Sequence, residues 1–540
     1  MLLQVQRAMA SRTVTISPTP GEGVDGLDYL PGLTILGSGY DVLNGYYADP
    51  RSCKANLFVL TDTTDPNDLL KVTITRSDNS EVAYAIPKVV TLHPNPTSSS
   101  YVSTGRSIEE FSSSLNSYTK IEGSYIFFSS AISTSIGSQT AQSLDKEFSM
   151  VQDDLQYYTL QLPPANNLAS YLQESVRKAI DESTALTQLF DDYGTHYVAG
   201  LIMGGSATYT CSTSKTKYQS SFDLKVVAEM SYKKVVGSIS DEQNMQYENE
   251  IKSFQEHSET KVVTRGGAPA LGGDAYVKNP QAWRDSVERN LTFANFLSPG
   301  LIGIWNLAST AKRKQELLDH YSKYCQEKQQ TFELPEPLLR ARRVQLSKIQ
   351  FTDQGSGAKA SLAVAIPNVG SEWYYLGQVA FKGEGEVSGQ TVVVQEVVKN
   401  SGVLTEVDRW DAIWNDVGSG KRNDYSLWHG IAGDPVDYYV VGDFFVGGRS
   451  SETAPTAEET KGIRAVHRRC LVEGAIGNQV WNDAGSKANS DGAVWEIVPA
   501  GNENIDMTNV KATFASVKSR SAKPQGPVYL LKRSAVVFDS

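Results

Sequence analysis

Tyr193-Gly194-Thr195-His196-Tyr197-Val198-Ala199-Gly200-Leu201-Ile202-Met203-Gly204-Gly205 is the stretch on which the fold turns. Aromatic and β-branched residues in this run favour strand, while paired glycines mark a place where strands bend or approach too closely for a Cβ. A second pair, Gly266-Gly267, closes the charged stretch that follows and takes the same explanation. His196 stands in an apolar setting and reads as a hydrogen-bonded core histidine. A metal role has little support, because the chain has six histidines and none is paired at i, i+4.

On either side of this run lies a tract of low apolar content. In 212–264 Phe222, Leu224, Val226, Ala228, Met230 and Tyr232 share one strand face, and Asp223, Lys225, Glu229, Ser231 and Lys233 share the other. Length and period suit a transmembrane β-strand. Met245, Tyr247 and Ile251 form a weaker return arm, with Gly237, Ser238, Ser240 and Asp241 at the tip. In 97–143 Phe111, Leu115, Ile121, Tyr125, Phe127 and Ala131 share one parity among many serines. Residues 241–260 also satisfy a helical period through Tyr247, Ile251 and Phe254, as a helix-to-hairpin switch requires.

The signature Tyr193, Gly194, Thr195, His196, Tyr197, Gly204 and Gly205 resembles that of the membrane-attack-complex/perforin (MACPF) family. Three further landmarks occur in the family's order: Leu36-Gly37-Ser38-Gly39-Tyr40-Asp41-Val42-Leu43-Asn44-Gly45, the Ser-rich tract, and Thr264-Arg265-Gly266-Gly267. The resemblance covers roughly residues 20–330. It implies an α+β fold: a bent antiparallel sheet flanked by two helical clusters, with the signature at the bend. In the pore each cluster becomes a transmembrane hairpin of a barrel shared by many subunits. The implied activity is that of a cytolytic toxin, insecticidal members included. The implied partners are a target membrane carrying a lipid, glycan or protein receptor, and further copies of the chain. The need for a second protein component stays open, no cofactor is expected, and a non-lytic adhesion or immune role is the rival within the same fold.

Composition is consistent with this. At 540 residues the chain exceeds one core, and 26 Tyr, 17 Phe and 8 Trp exclude disorder. A net charge of −11 argues against nucleic acid and against adhesion to anionic lipid by charge alone. Cys53, Cys211, Cys325 and Cys470 are too scattered for a zinc site; four thiols are preferred, one or two disulfides remain open. The N-terminus lacks the apolar stretch of a secretory signal, so the expectation is non-classical release or cytoplasmic storage before action at a membrane.

The domain reading is a leader over 1–15, the pore-forming domain over 16–332, a linker over 333–345 marked by two prolines, and an all-β domain over 346–540. Residues 165–192 predict helices ending at Tyr193, and 281–328 reads as helical throughout, broken only at Pro299-Gly300. In the last domain Trp414-Asn415-Asp416-Val417-Gly418-Ser419 with Trp428 returns as Trp481-Asn482-Asp483-Ala484-Gly485-Ser486 with Trp495. Tyr374-Tyr375-Leu376-Gly377 echoes Tyr438-Tyr439-Val440-Val441-Gly442. This part resembles the vacuolar-protein-sorting-associated domain, which implies a β-prism-like fold of three similar sheets, although a third tryptophan motif is missing. Trp414, Asp416, Trp428, Trp481, Asp483 and Trp495 are therefore either ligand or core positions. As catalytic carboxylates, Asp416, Asp424, Asp483 and Asp491 make a poor case, because catalysis needs one asymmetric constellation and these repeat. No catalytic motif appears elsewhere, and the chain is not expected to be an enzyme.

Overall fold

The computed structural model describes residues 14–15, 24, 26–61, 68–121, 125–346, 348–353, 356–383, 387–420, 424–447 and 453–539. The chain forms two compact units. The first comprises residues 1–141, 147–213 and 220–332, and the second takes 142–146, 214–219 and 333–540.

The first unit is built on long strands: β1 (Thr91–Gly105), β2 (Lys146–Gln161), β3 (Gly200–Ser214), β4 (Ser258–Arg265) and β5 (Thr292–Phe296). Their order is β4-β3-β2-β1, with β5 also on β3. β1 and β2 are joined by α1 (Ile108–Thr119) and α2 (Ser129–Ser135), where neighbouring antiparallel strands would usually share a tight turn. Between the antiparallel β3 and β4 stand α3 (Leu224–Val235) and α4 (Asp241–Glu256). A second sheet runs Leu301–Gly303, His196–Val198, Ser38–Tyr40, Cys53–Asn56.

Several expectations need correction. Residues 281–328 are not one broken helix: α5 (Pro280–Val287) ends early, and Phe293 and Phe296 lie on β5. The run Thr-Phe-Ala-Asn-Phe is too short to hold a helix, and the edge of β3 supplies its partners. Val14–Thr15, expected in a leader, pairs with Thr73–Ile74, and residues 1–13 lie outside the described residues. Residues 333–345 are not a free linker. Leu339–Gln345 is a strand paired with Gln390–Glu396, and Leu334, Leu338 and Leu339 are buried in the core of the second unit. Helices Glu174–Glu182 and Leu186–Tyr193 lie where expected.

The second unit repeats one hairpin three times. Asp353, Asp416 and Asp483 each accept, at Oδ1, a backbone N–H nine residues on: from Leu362 (2.7 Å), Tyr425 (3.0 Å) and Gly492 (3.0 Å). Each also receives at its carbonyl the N–H of the serine three residues later, Ser356, Ser419 or Ser486. A third copy of the hairpin is therefore present at 351–365, without the tryptophan motif. Phe351 and Ala365 occupy its two tryptophan positions, which hid it from a search for Trp. Each hairpin carries a third strand, Val379–Lys382, Phe444–Gly447 or Phe514–Val517, giving three similar antiparallel sheets.

Candidate functional site

The signature is a corner. The helix ending at Tyr193 stops because Gly194 takes a left-handed φ of +77°, and a Cβ there would lie 2.5 Å from Tyr40 N. Across the gap a Cβ on Gly39 would lie 1.7 Å from the Tyr193 carbonyl oxygen. The two landmarks thus interlock through glycine, and Gly39 and Tyr40 pair with Tyr197 and His196. His196 is buried, with Nδ1 2.9 Å from Thr195 Oγ1 and its ring edge-on to Trp305 and Tyr321. Burial lowers its pKa to about 3, so the imidazole is neutral and part of the packing. Tyr197 is fully buried against Phe58. At Ala199 the chain leaves the second sheet, and at Gly200 it enters β3.

The paired glycines form a seam. β4 covers β3 up to Ser206, and β5 takes over from Gly204, so Gly205 sits where the partner strand changes. A Cβ on Gly204 would lie 1.8 Å from the Leu155 carbonyl oxygen on β2, a backbone clash with no side chain to yield. A Cβ on Gly205 would meet Val287 at 2.9 Å and Trp283 at 3.1 Å, both side chains of α5. Gly266 and Gly267 have φ of +73° and +70°, carrying the chain from β4 into the excursion that holds α5. Trp283 Nε1 donates to the Gly266 carbonyl at 2.9 Å. One helix therefore caps the seam from both glycine pairs.

Most of the residues expected to line hairpins lie on helices, while Ile121, Tyr125, Phe127 and Phe222 lie in the segments that flank them. Phe111 and Leu115 lie buried on α1, with Ile121 and Phe127 buried after it, and Tyr125 donates its hydroxyl to the Ser322 carbonyl (3.2 Å). On α3 Val227, Ala228, Met230, Ser231 and Tyr232 face inward, while Leu224 and Val226 are half-buried. The alternation read along 222–232 is thus met by a helical period. Phe222 packs on Tyr247 with ring centroids 5.1 Å apart, and only Ile251 and Phe254 of α4 are buried. Met245 is 76% exposed.

Sequence reasoning missed the tie that fastens α3. Tyr232 Oη donates to Asp153 Oδ2 of β2 (3.1 Å) and lies 2.7 Å from the Tyr276 hydroxyl. Arg284 of α5 forms an ion pair with the same Asp153. These residues stand up to 131 positions apart, and no local pattern announces them. Burial pushes the Tyr232 hydroxyl far above its usual pKa and keeps it a neutral donor. Deeper in the sheet, buried Asp154 accepts from Gln152 Nε2 (2.8 Å) and from Asn295, whose Oδ1 accepts from Tyr47 Oη (2.9 Å).

In the second unit the repeat residues are structural. Trp414, Trp428, Trp481 and Trp495 are all buried. Trp414 and Trp481 meet edge to face at 5.5 Å, and Trp481 Nε1 donates to Asp353 Oδ2 at 3.0 Å. Asp416 and Asp483 are spent on their hairpins, and Arg520 also pairs with Asp483 at 2.8 Å. All four cysteines are free thiols. Among the described residues no three metal-ligating side chains converge, and no helix is long and apolar enough to cross a membrane.

A search of curated protein sequences returns no match. Among solved structures, GNIP1Aa from Chromobacterium piscinae aligns over 95% of this chain and 97% of its own, with 26% identity and a TM-score of 0.76. A MAC/Perforin-domain protein from Bacteroides thetaiotaomicron aligns over 67% of this chain and 70% of its own, with 13% identity and a TM-score of 0.37. The family model described as the MAC/Perforin domain matches residues 24–331, more than half of the chain and nearly all of the first unit. With the signature at the corner and a helical cluster on each antiparallel strand pair, the chain belongs to the MAC/Perforin family, a family of pore-forming proteins.

Proposed function

We propose that this protein is a membrane-lysing pore-former, which gathers on a target membrane and inserts both helical clusters as β-hairpins of a shared barrel. The carrying observation is that β1–β2 and β3–β4 are already antiparallel hairpin stems whose tips are replaced by helices. Each insertion supplies about 20 residues per arm, roughly 65 Å at ~3.3 Å per residue, against a hydrocarbon core of ~30 Å. A closed barrel would satisfy every backbone group that an open hairpin leaves unpaired.

The register supports this reading. Ser258 pairs with Thr213, and continuing that register sets Met245 opposite Val226 and Tyr247 opposite Leu224. Both apolar sets then share one face, because directly opposed residues point the same way. For the other stem Gly105 pairs with Phe148, and continuation sets Phe128 opposite Tyr125 and Ile132 opposite Ile121. The turn reverses parity, so Phe128 and Ile132 replace Phe127 and Ala131 on the lipid-facing side. The second unit is the targeting module in this reading.

The test combines dye release from vesicles of susceptible-cell lipids with an environment-sensitive fluorophore at single cysteines, the native thiols having been replaced. Lysis with a blue shift at 224, 226 and 228 but not at 225 or 229 is expected. Absence of lysis on membranes that bind the protein would reject the pore and favour an adhesion role.

A further inference from the structure

Where a fold is built by threefold repetition, residues the fold requires recur in each copy, as Asp353, Asp416 and Asp483 do. A polar group found in one copy alone is not explained that way. His429 and Asp443 are such a pair. Thirteen residues after the repeated aspartate stand Ile366, His429 and Glu496. At the position of Asp443 the first copy has Gln378, whose side chain exchanges two hydrogen bonds with Phe445 of the second copy's backbone. Asp443 keeps half of that coupling, accepting from Ser516 N of the third copy at Oδ2, and turns its other oxygen to His429 Nδ1 at 2.6 Å.

This pair lies in a cleft of about 560 Å³ between the second and third copies. The volume is that of a small-molecule site rather than a packing gap. Apolar walls come from Ile431, Val440 and Pro527, and the rings of Tyr439 and Tyr529 pack at 4.5 Å, tilted by 40°, on one side. Asp443 is buried, but the His429 side chain is 49% exposed, so Nε2 is the nitrogen left to meet a ligand. Ser516 also lines the cleft. It is 9% exposed, and its Oγ is buried without a hydrogen-bond partner. Such a hydroxyl costs free energy unless something satisfies it. Among the described residues no lysine or arginine lines the cleft, and its histidine is already paired with Asp443. A phosphate or sulfate group would find no counter-charge here. A hydrolytic triad is excluded as well: Ser516 meets the carboxylate through its backbone N–H, at the end away from His429 Nε2.

We infer that this cleft binds a neutral saccharide, its C–H face against the tyrosine pair and its hydroxyls on His429 Nε2 and Ser516 Oγ. The inference deepens the targeting role given to the second unit and rests on it. The sugar would be carried by a glycolipid or a glycoprotein, which share this chemistry.

The test uses the full chain on an array of neutral, sialylated and sulfated oligosaccharides. Titration of the best neutral glycan follows, then binding to vesicles bearing it as a glycolipid and to a surface bearing it on protein. The expected result is neutral-glycan binding that weakens about tenfold or more in His429→Gln, as the loss of one good hydrogen bond implies. Ser516→Ala should weaken it too, and the half-exposed position of His429 keeps the first variant folded if the second is not. No neutral ligand, preference for anionic glycans alone, or unchanged affinity in His429→Gln would each overturn the assignment. Lysis of glycan-free vesicles by a chain that binds no sugar would sink this inference and leave pore formation standing. Sugar binding without lysis would do the reverse.

Discussion

Two adjacent glycines have unlike roles. Gly204 faces the backbone of β2 and Gly205 faces the side chains of α5, so their substitutions should diverge. Gly204→Ala is expected to abolish soluble expression, because the Leu155 carbonyl cannot move aside. Gly205→Val displaces Val287 and Trp283 at a cost of about 1–3 kcal/mol and should leave a folded protein that binds membranes. With α5 levered off the seam, its dye release should change; release equal to wild type would show that the seam does not flex. A residue-scale prediction of another kind concerns Asp154. Burial raises its pKa to about 7, against hydrogen bonds from Gln152 and Asn295 that lower it. The folded state therefore holds this proton more tightly than the unfolded one. Its stabilising effect is complete below the ordinary value of 3.8 and is lost as pH rises through 7. Asp154→Asn should flatten the fall in Tm between pH 4 and 8; an unchanged slope would assign that fall to other groups. Gly204-Gly205 was legible as a pair, but the neighbour of each was not, because a clash depends on which strand lies opposite.

At the scale of elements, the two helical clusters are held with unequal strength. α1 buries Ile108, Phe111 and Leu115 against the sheet, each contributing roughly 1.5–3 kcal/mol, whereas α4 buries only Ile251 and Phe254 over 16 residues. α4 should therefore be first to leave. Hydrogen exchange at 241–256 is expected to run faster than at 108–119, and the reverse order would refute this. The Tyr232–Asp153–Arg284 tie then holds α3 alone. Tyr232→Phe removes a hydroxyl with two partners and should lower stability by about 1–2 kcal/mol. It should also speed exchange over 224–235 and hasten lysis, while leaving 108–119 unaffected. Equal acceleration in both clusters would mean global loosening instead. Helix and strand periods were both readable in residues 241–260. Only the tertiary structure selects between them, since the helix needs α3 and β4 beside it and the strand needs a membrane. Within 281–328 the helical reading holds for α5 and for Ala311–Lys328 but not for Thr292–Phe296, because Phe293 and Phe296 satisfy a helical period equally well and the edge of β3 outweighs that local preference.

At the scale of the molecule, the second unit is not contiguous in sequence. It includes residues 214–219, and Lys215, nearly buried, lies 3.3 Å from Asp437 of the same unit. A fragment cut at 333 would take Lys215 away from Asp437 and leave its ion pair with Arg468 in place. Breaking a buried pair costs about 3–5 kcal/mol when one charge is left behind. Residues 333–540 expressed alone should melt well below the same unit in the full chain, and Asp437→Asn should recover part of the difference. Equal melting temperatures would show that the second unit stands without its inserted loops. Much of the whole was determined by the sequence alone. The paired glycines, the Tyr-Gly-Thr-His-Tyr corner and the order of landmarks mark where strands meet closely, because left-handed or crowded backbone favours glycine at those positions. The Asp-x-Gly-Ser spacing likewise fixes a repeating hairpin, since its hydrogen bonds close within nine residues. What only the tertiary structure decided depends on groups distant in sequence. The third repeat, stripped of its tryptophans, is identified by its hydrogen bonds. The tie on α3, the seam where β4 yields to β5, and the one histidine that breaks the threefold pattern emerge only when separate strands are brought side by side.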